Sequence, residues 1–423
     1  YAFPEQGVTL RSIIWRKSVG AGKYKYERTP YEYVRPAARA LSELAPNNSF
    51  YAEGYQVTID QVDVTSSDAF ETWRFCGNCD HAERIDQGDH HPSCPACGER
   101  DKWSDRGQRR QMLRLRKVFA SAEDRRARIR DDSDDRSPKF YTRQMLVEIE
   151  ETGNQPGWFL DNDEIPFGFE YVRRVVMRDI NFGEHNDIGK EVTIGGVGSV
   201  RDGFKICKEC GKVQDRDFGK RKKAEEKHDH TCPAKAKKDG SSIEACLYLY
   251  RELRSEAVRV LLPFLDDIGA DRARHSFLAA FQMGLEDFFR GNIDHLNATV
   301  YSEPSVEEGV RKQFLMLHDT IPGGTGYLKE LVRDPDKVMQ ILVAARDRLR
   351  SCACNQDAEK DGCYRCLFAY RNSYEMAETS RDMALEILTK ILRQRQTLTR
   401  TEALGDIRVN ALLDSHLEAM FIE

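Results

Sequence analysis

The sequence has no long hydrophobic run and no excess of charge of one sign. No apolar stretch approaches the roughly 18 residues that a membrane-spanning helix needs, and no signal-peptide pattern is present. We therefore expect no membrane partner and a cytoplasmic location. Lys and Arg number 65 against 70 Asp and Glu, which gives a formal net charge of −5. Such a balance does not by itself predict a nucleic-acid-binding protein.

Isolated cysteines are also nearly absent. Eleven of the twelve cysteines fall into groups with metal-ligand spacing, and only Cys246 is left over. Scattered cysteines would suggest disulfide bonds in a secreted chain, whereas clustered thiols are typical of metal sites in a reducing compartment. A chain of 423 residues is long enough for about two to four domains. Metal ions are therefore expected to shape local modules rather than to replace a hydrophobic core.

One metal-type pattern lies near the C-terminus. Cys352 and Cys354 form C-x-C, and Cys363 and Cys366 form C-x2-C after a short polar loop. Four soft thiolates at this spacing can surround one Zn²⁺ ion tetrahedrally. Because four cysteines leave no open position for water, the pattern predicts a structural zinc site rather than a catalytic one.

A second four-cysteine pattern lies in the N-terminal half. It reads C-x2-C, fourteen residues, C-x2-C, and consists of Cys76, Cys79, Cys94 and Cys97. This spacing is typical of the two knuckles of a zinc ribbon. Since four thiolates complete such a site, we interpret the histidines between them as solvated side chains; these are His81, His90 and His91.

A third group combines three cysteines with a histidine. Cys207 and Cys210 form C-x2-C, and Cys232 follows after a lysine-rich insertion. Either His228 or His230 can supply the fourth ligand; we prefer His228, because H-x3-C is the more usual spacing. The three patterns together predict about three Zn²⁺ ions per chain.

A run of basic residues follows the zinc ribbon. Clustered arginines neutralise phosphates and release counterions, so the run is a candidate DNA-facing strip. The alternative is a solvated face of a helix or strand next to a charged hinge, and the sequence favours neither interpretation. The candidate nucleic-acid contacts are Arg106, Arg109, Arg110, Arg114, Arg116 and Lys117.

The periodicity predicts an α+β protein, with a β-rich N-terminal half that holds two zinc-ribbon-like modules and a helical C-terminal zinc-binding domain. Alternating residues predict a strand at 8–16, and longer periods predict helices at 36–44, 245–265, 274–289 and 328–349. We divide the chain into a β-rich segment, a zinc ribbon, a basic segment with an acidic hinge, a β-rich region with the second module, the helical domain, and a linker that opens a further domain. Their bounds are 1–72, 73–104, 105–140, 141–242, 243–395 and 396–423.

The C-terminal motifs resemble a known family. The turn Pro322-Gly323-Gly324-Thr325-Gly326-Tyr327 precedes a predicted helix, the four C-terminal cysteines and Tyr370-Arg371-Asn372. This series is similar to the C-terminal zinc-binding (MZB) domain of MrfA-type superfamily 2 helicases. Related domains occur in large anti-phage helicases of the Druantia type and in a separate subunit of the DISARM defence system. The resemblance covers residues 243–393 most clearly.

The resemblance implies a non-catalytic accessory region of an ATP-dependent DNA helicase, with DNA as a partner. Helicase motor domains would lie in cis, or, as the alternative, a helicase subunit would bind in trans. The sequence has no complete phosphate loop, no DEAH-type box and no Q-x-x-G-R motif, so ATP is expected to bind only to motor domains outside this chain. Whether the chain is itself an enzyme, and whether it serves repair or phage defence, stays open. The start at Tyr1 and the end within an apparent helix lead us to expect part of a longer polypeptide.

Overall fold

The computed structural model describes most of the chain and divides it into two compact units. The first unit comprises Tyr1–Leu146 and Arg178–Glu252, and the second comprises Val147–Met177 and Leu253–Glu423. Each unit is thus built from two stretches of chain. The described residues are 7–20, 23–66, 69–85, 91–129, 139–152, 156–160, 166–215, 226–236, 240–262, 270–291, 293–304, 311–357, 360–368, 379–402 and 404–406.

Strands outnumber helices. The strands are β1 Gly7–Gly20, β2 Lys23–Pro36, β3 Ser49–Ala52, β4 Tyr55–Val62, β5 Glu71–Phe75, β6 Ala82–Arg84, β7 Arg109–Arg114, β8 Lys117–Glu123, β9 Tyr141–Thr152, β10 Gly157–Leu160, β11 Gly168–Glu184, β12 Glu191–Ile194, β13 Val197–Val200, β14 Phe204–Cys207, β15 Ile243–Leu261, β16 Leu296–Pro304, β17 Arg311–Asp319 and β18 Leu398–Thr401. The helices are α1 Ala37–Glu43, α2 Asp101–Ser104, α3 Asp124–Ala127, α4 Ala270–Phe288, α5 Tyr327–Arg333, α6 Pro335–Ser351 and α7 Arg381–Arg393.

The first unit contains a five-stranded sheet in the order β2-β1-β8-β4-β3. Strand β1 pairs antiparallel with β2 and parallel with β8. Its alternate residues Val8, Leu10 and Ile14 are buried against Leu41 of α1. The alternation predicted for residues 8–16 is therefore confirmed, because a strand with one covered face must place every second side chain in the core.

The other strands of the first unit carry the zinc-ribbon region. Strand β7 pairs antiparallel with β5 and parallel with residues 247–250 of β15, and β5 pairs with β6. Aromatic rings fill the space over these strands, with Phe182 lying 4.8 Å from Tyr248 between ring centroids and edge-on to it. Edge-to-face pairs of this kind add stability beyond the buried area.

The second unit packs three long helices, α4, α6 and α7, into one core. Phe277 and Phe281 of α4 are fully buried and stack at 5.9 Å. Strands β16 and β17 form an antiparallel hairpin, and β17 also pairs with residues 257–261 of β15. The apolar stripe predicted for residues 274–289 is confirmed as core.

The helix predicted at residues 245–265 is wrong, because residues 243–261 form β15. Within the first unit its residues 247–250 pair with β7, and within the second unit its residues 257–261 pair with β17. Its buried positions come in consecutive runs, at residues 247–250 and 255–261, so the strand does not show the alternation of a strand with one covered face.

The single helix predicted at residues 328–349 is two helices. Helix α5 ends at Arg333, and α6 begins at Pro335 with the Asp334 side chain accepting the backbone N–H of Asp336. Aspartate at the N-cap with proline at the first helical position is a strong helix start, so the break is encoded locally.

Among the described parts of the chain, no helix is long and apolar enough to cross a membrane.

Candidate metal centres

Among the described residues, three groups of four side chains converge. They are Cys76, Cys79, Cys94 and Cys97; Cys207, Cys210, His228 and Cys232; and Cys352, Cys354, Cys363 and Cys366. Within each group the ligand atoms all lie within 4.8 Å of one another. The sequence-predicted ligands are thus brought together in the predicted sets.

The sulfur distances test whether a zinc ion fits. A tetrahedral site with Zn–S bonds of about 2.3 Å has sulfur atoms about 3.8 Å apart, whereas a disulfide requires about 2.05 Å. The Cys76–Cys97 and Cys79–Cys94 Sγ distances are both 3.6 Å, and Cys354–Cys366 is 3.7 Å. All these thiols are free. The donor atoms therefore have the spacing of closed tetrahedral zinc sites.

The first cluster is built from two tight turns. Backbone N–H groups of Asn78 and Cys79 point at the Cys76 sulfur at 3.3 and 3.4 Å. The fully buried Trp103 packs against the cysteines and donates its indole N–H to the carbonyl of His91. A large aromatic ring thus shields the cluster from water.

A β-hairpin covers the same knuckle. The turn between β12 and β13 donates the N–H of Gly195 to the carbonyl of Cys76 and the N–H of Gly196 to the carbonyl of Gly77. Both glycines have positive φ. These contacts join residues more than a hundred positions apart in sequence, so the hairpin and the ribbon fold as one module.

Two histidines of the first loop, His81 and His91, lie outside its ligand set. His81 packs 5.8 Å from the Trp103 ring, and His91 is 2.9 Å from a carboxylate oxygen of Glu83. His90 lies outside the described residues.

The second cluster includes His228. Its Nδ1 lies 3.6 Å from the Cys232 sulfur, and its Nε2 lies 2.8 Å from Oε2 of the half-buried Glu226. Burial acts to lower the pKa of His228, but the hydrogen bond to Glu226 offsets this and the pKa is raised. The His230 side chain is 82% exposed and pairs with Asp229 instead. The geometry therefore brings His228, and not His230, to the metal position.

Glu226 is a residue that the sequence did not single out. Its other oxygen accepts the N–H of Gly240 at 2.7 Å, so both carboxylate oxygens are held. A carboxylate that accepts the far N–H of a zinc-bound histidine fixes the tautomer and orients the ring. A Glu two residues before a candidate ligand is the only sequence signal for this role.

We expect Glu226→Ala to lower the zinc affinity of the second cluster about 10-fold to 100-fold, because His228 loses its orienting partner. Chelator competition on the purified chain measures this as faster release of one zinc equivalent. Glu209→Ala is the matched control, since Glu209 is an exposed carboxylate within the same C-x2-C turn. Equal zinc retention in the two variants would rule out the proposed pairing.

The second cluster is also fixed to the five-stranded sheet. Val62 of β4 donates its N–H to the carbonyl of Gly211 at 2.9 Å, and the Gln61 side chain donates to the carbonyl of Cys210 at 2.6 Å. Gly211 has a φ of +73°, and a Cβ there would lie 1.8 Å from the Val62 carbonyl oxygen. Only glycine fits this close approach of the knuckle to the strand.

The third cluster joins the ends of α6 and α7. The Asn355 side chain donates to the carbonyls of Leu349 and Arg350 and so caps α6 directly after the C-x-C pair. From α7, the buried Arg381 guanidinium lies 3.7 Å from the Cys354 sulfur. Four thiolates around Zn²⁺ carry a net charge of −2, and Arg381 offsets part of it in a region of low dielectric constant.

Carboxylates hold the glycine-rich turn at residues 322–327 in place. Asp319 is fully buried and accepts the N–H groups of Ile321 at 2.8 Å and Thr325 at 2.9 Å. The buried Glu256 of β15 accepts the N–H of Gly326 at 2.6 Å. These carboxylates therefore already accept the backbone N–H groups of the turn that precedes α5.

The basic run does not form one continuous strip. Arg106 lies in a short 3-10 helix before β7. Strand β7 carries Arg109 on one face and Arg110 and Arg114 on the other. Arg116 lies directly before β8, and Lys117 is the first residue of β8. Arg106, Arg109 and Arg116 are exposed, whereas Arg110, Arg114 and Lys117 are half-buried. The two β7 faces arise because neighbouring side chains on a strand point in opposite directions.

The mixed α+β fold and its three closed clusters define a zinc-binding protein, with about three Zn²⁺ per chain, whose centres are structural rather than catalytic. Residues 277–367 match the family described as MZB, the MrfA Zn-binding domain, and this range contains all four cysteines of the third cluster. The chain therefore carries an MrfA-type zinc-binding domain.

Two solved structures are similar to the chain. The crystal structure of the DUF1998 helicase MrfA bound to DNA has a TM-score of 0.40 and 10% identity, and covers 92% of this chain and 34% of that one. The same helicase bound to DNA and AMPPNP has a TM-score of 0.34 and 9% identity, and covers 92% and 32%. The chain thus spans about a third of the length of these structures. No curated protein matches it.

Proposed function

We propose that this chain is a zinc-organised accessory region of a DNA helicase, which positions motor domains and contacts DNA. The observation that carries the proposal is the match of residues 277–367, with their four-cysteine cluster, to the MrfA Zn-binding domain. The motor domains would be in cis and would supply ATP hydrolysis. Repair or anti-phage defence would be the setting.

The metal ions would act as fixed cross-links in this role. We propose that each cluster holds one Zn²⁺ through all four of its side chains, with His228 binding through Nδ1. Each cluster joins two short segments separated by a loop, such as the turns of Cys76 and Cys94, and the first of these turns also accepts the backbone N–H of Gly195. Zinc then supplies the rigidity that an accessory region needs to keep a bound strand in register.

Within the basic run, we propose that Arg106, Arg109 and Arg116 contact phosphate. Their side chains are exposed, and within the described part of the chain none of them forms an ion pair. The half-buried members of the run would contact phosphate at shorter range or through the backbone of their strands; these are Arg110, Arg114 and Lys117. An unpaired guanidinium can bind phosphate without first losing a carboxylate partner.

Changing Arg106, Arg109 and Arg116 together to alanine is expected to weaken binding to a single-stranded oligonucleotide. Each lost phosphate contact lowers the slope of log K against log salt by about 0.7, so the triple variant should lose about 2 from that slope. Fluorescence anisotropy across a salt series measures it.

The charge-matched control changes the exposed cations Arg333, Lys390 and Arg395 to alanine. If both triple variants lose affinity equally, the exposed arginines of the basic run make no specific contact. Co-purification of a separate helicase chain would place the motor in trans.

A further inference from the structure

Each C-x2-C turn contains two residues whose side chains are not metal ligands. None of these residues is aromatic in the first three turns; the Asn78 amide lies 3.9 Å from the Cys97 sulfur, Lys208 pairs with Glu244 at 3.7 Å, and the Glu209 side chain is exposed. The turn of the third cluster differs, because it places a tyrosine beside an arginine. The four pairs are Gly77-Asn78, Pro95-Ala96, Lys208-Glu209 and Tyr364-Arg365.

Tyr364 and Arg365 project into solvent. The Tyr364 side chain is 77% exposed, more than any other exposed large aromatic residue of the described chain. Arg365 is also exposed. Within the described residues, neither side chain makes a hydrogen bond, an ion pair or a ring contact. A zinc turn does not require either residue, as the other three turns demonstrate, and no contact among the described residues accounts for their placement.

The backbone beneath these side chains is fixed. The N–H of Cys366 donates to the carbonyl of Cys363 at 3.0 Å. The Arg348 guanidinium donates to the carbonyl of Arg365 at 3.1 and 3.3 Å, and Arg348 is itself held by Asp287 at 2.7 Å. The tip therefore presents its two side chains from a rigid base, which reduces the entropy lost when a ligand binds.

We propose that Tyr364 and Arg365 form a contact for single-stranded nucleic acid, in which the Tyr364 ring stacks on an unpaired base and Arg365 binds the neighbouring phosphate. The proposal deepens the proposed function and rests on it. Stacking on an aromatic ring suits any base, but the base must be unpaired, so the partner is a single strand. The planar guanidinium matches two phosphate oxygens.

A protein partner fits this tip less well. The neighbouring Cys366 and Leu367 are buried, so the tip offers one ring and one cation rather than an apolar patch. A stable protein interface buries on the order of 800 Å² per partner, which a single exposed ring cannot supply.

The test uses the zinc-replete 423-residue chain and fluorescein-labelled oligothymidine, with anisotropy measured across a salt series. Tyr364→Leu removes the π face at similar size and should weaken binding between about 5-fold and 150-fold, with the salt slope unchanged. Arg365→Ala should reduce the salt slope by about 0.7. Tyr364→Phe should bind like the unmodified chain, because stacking does not need the hydroxyl group.

Lys360→Ala is the control, since Lys360 is an exposed cation of the same loop that pairs with Asp357 at 2.8 Å. It should keep full affinity, and all variants should keep their zinc. If Tyr364→Leu holds its zinc and binds oligothymidine as the unmodified chain does, this contact is wrong while the proposed function stands. If the unmodified chain does not bind oligothymidine at low salt, the proposed DNA contact of the chain fails as well.

Discussion

Replacing Cys366 by alanine is expected to remove one zinc ion per chain and to destabilise the helical part of the second unit. Cys366 is 1% exposed and packs against the core formed by α4, α6 and α7. Burial raises the pKa of its thiol to about 12, so a deprotonated sulfur at this position needs a metal ion. Structural zinc binding contributes about 10–16 kcal/mol in small zinc domains. Losing a third of that free energy lowers a melting midpoint by about 10 °C.

Elemental analysis and thermal denaturation measure the two effects. Cys246→Ala is the control, because Cys246 lies outside all three clusters and should leave the zinc content unchanged. A Cys366→Ala chain that retained its full zinc content and its melting midpoint would contradict a structural role for the third cluster.

Arg259→Met is expected to destabilise the second unit by about 3–5 kcal/mol, because it leaves a carboxylate buried without its cation. The side chains of Arg259 on β15 and of Glu170 are 7% and 4% exposed. The Arg259 Nε lies 2.6 Å from the Glu170 Oε1, although the angle between them is not that of a hydrogen bond. Its Nη1 lies 3.0 Å from Glu303. Burial acts to lower the pKa of Arg259, but Tyr301, Glu303 and Glu170 more than offset it, so the pKa is raised and the group stays charged.

Arg254→Met on the same strand is the matched control. Its side chain is 62% exposed and lies 3.8 Å from Glu150, so the change should cost less than about 1 kcal/mol. Urea unfolding followed by tryptophan fluorescence measures both variants. Similar midpoints for the two would mean that the buried pair contributes no more than a surface pair does.

The zinc centres could be predicted because the spacing of metal ligands is a local property of the sequence. A C-x2-C turn creates its own ligand geometry, and pairing of the halves follows from the need for four donors. The choice of His228 over His230 also follows from local spacing, and the structure places His228 within the second cluster. The partners that support the ligands were not predictable, because Arg381 reaches Cys354 from another helix.

The fold of residues 243–261 was not predictable from periodicity. A strand buried on both faces and a buried helix both read as a run of apolar residues, and only their partners tell them apart. Those partners are β7 and β17, whose pairing with β15 is a long-range property of the chain. In contrast, Asp334-Pro335 is a local sequence signal for the start of α6, and an analysis of hydrophobic periodicity alone does not detect it.

The network around Arg259 belongs to the same class of unpredictable features. Glu170 and Arg259 are 89 positions apart, and each would be expected at the surface if considered alone. Part of the resemblance, at residues 370–372, lies outside the described residues. The six-segment division of the sequence stays a prediction.

The proposal of a zinc-organised DNA contact region is tested most directly by the salt dependence of binding to single-stranded DNA. The zinc-replete chain, titrated from about 50 to 300 mM salt, should give an affinity whose logarithm falls linearly with log salt. Removal of zinc by a chelator should abolish the binding. No binding at the lowest salt, or an affinity that neither salt nor zinc removal changes, would contradict the proposal.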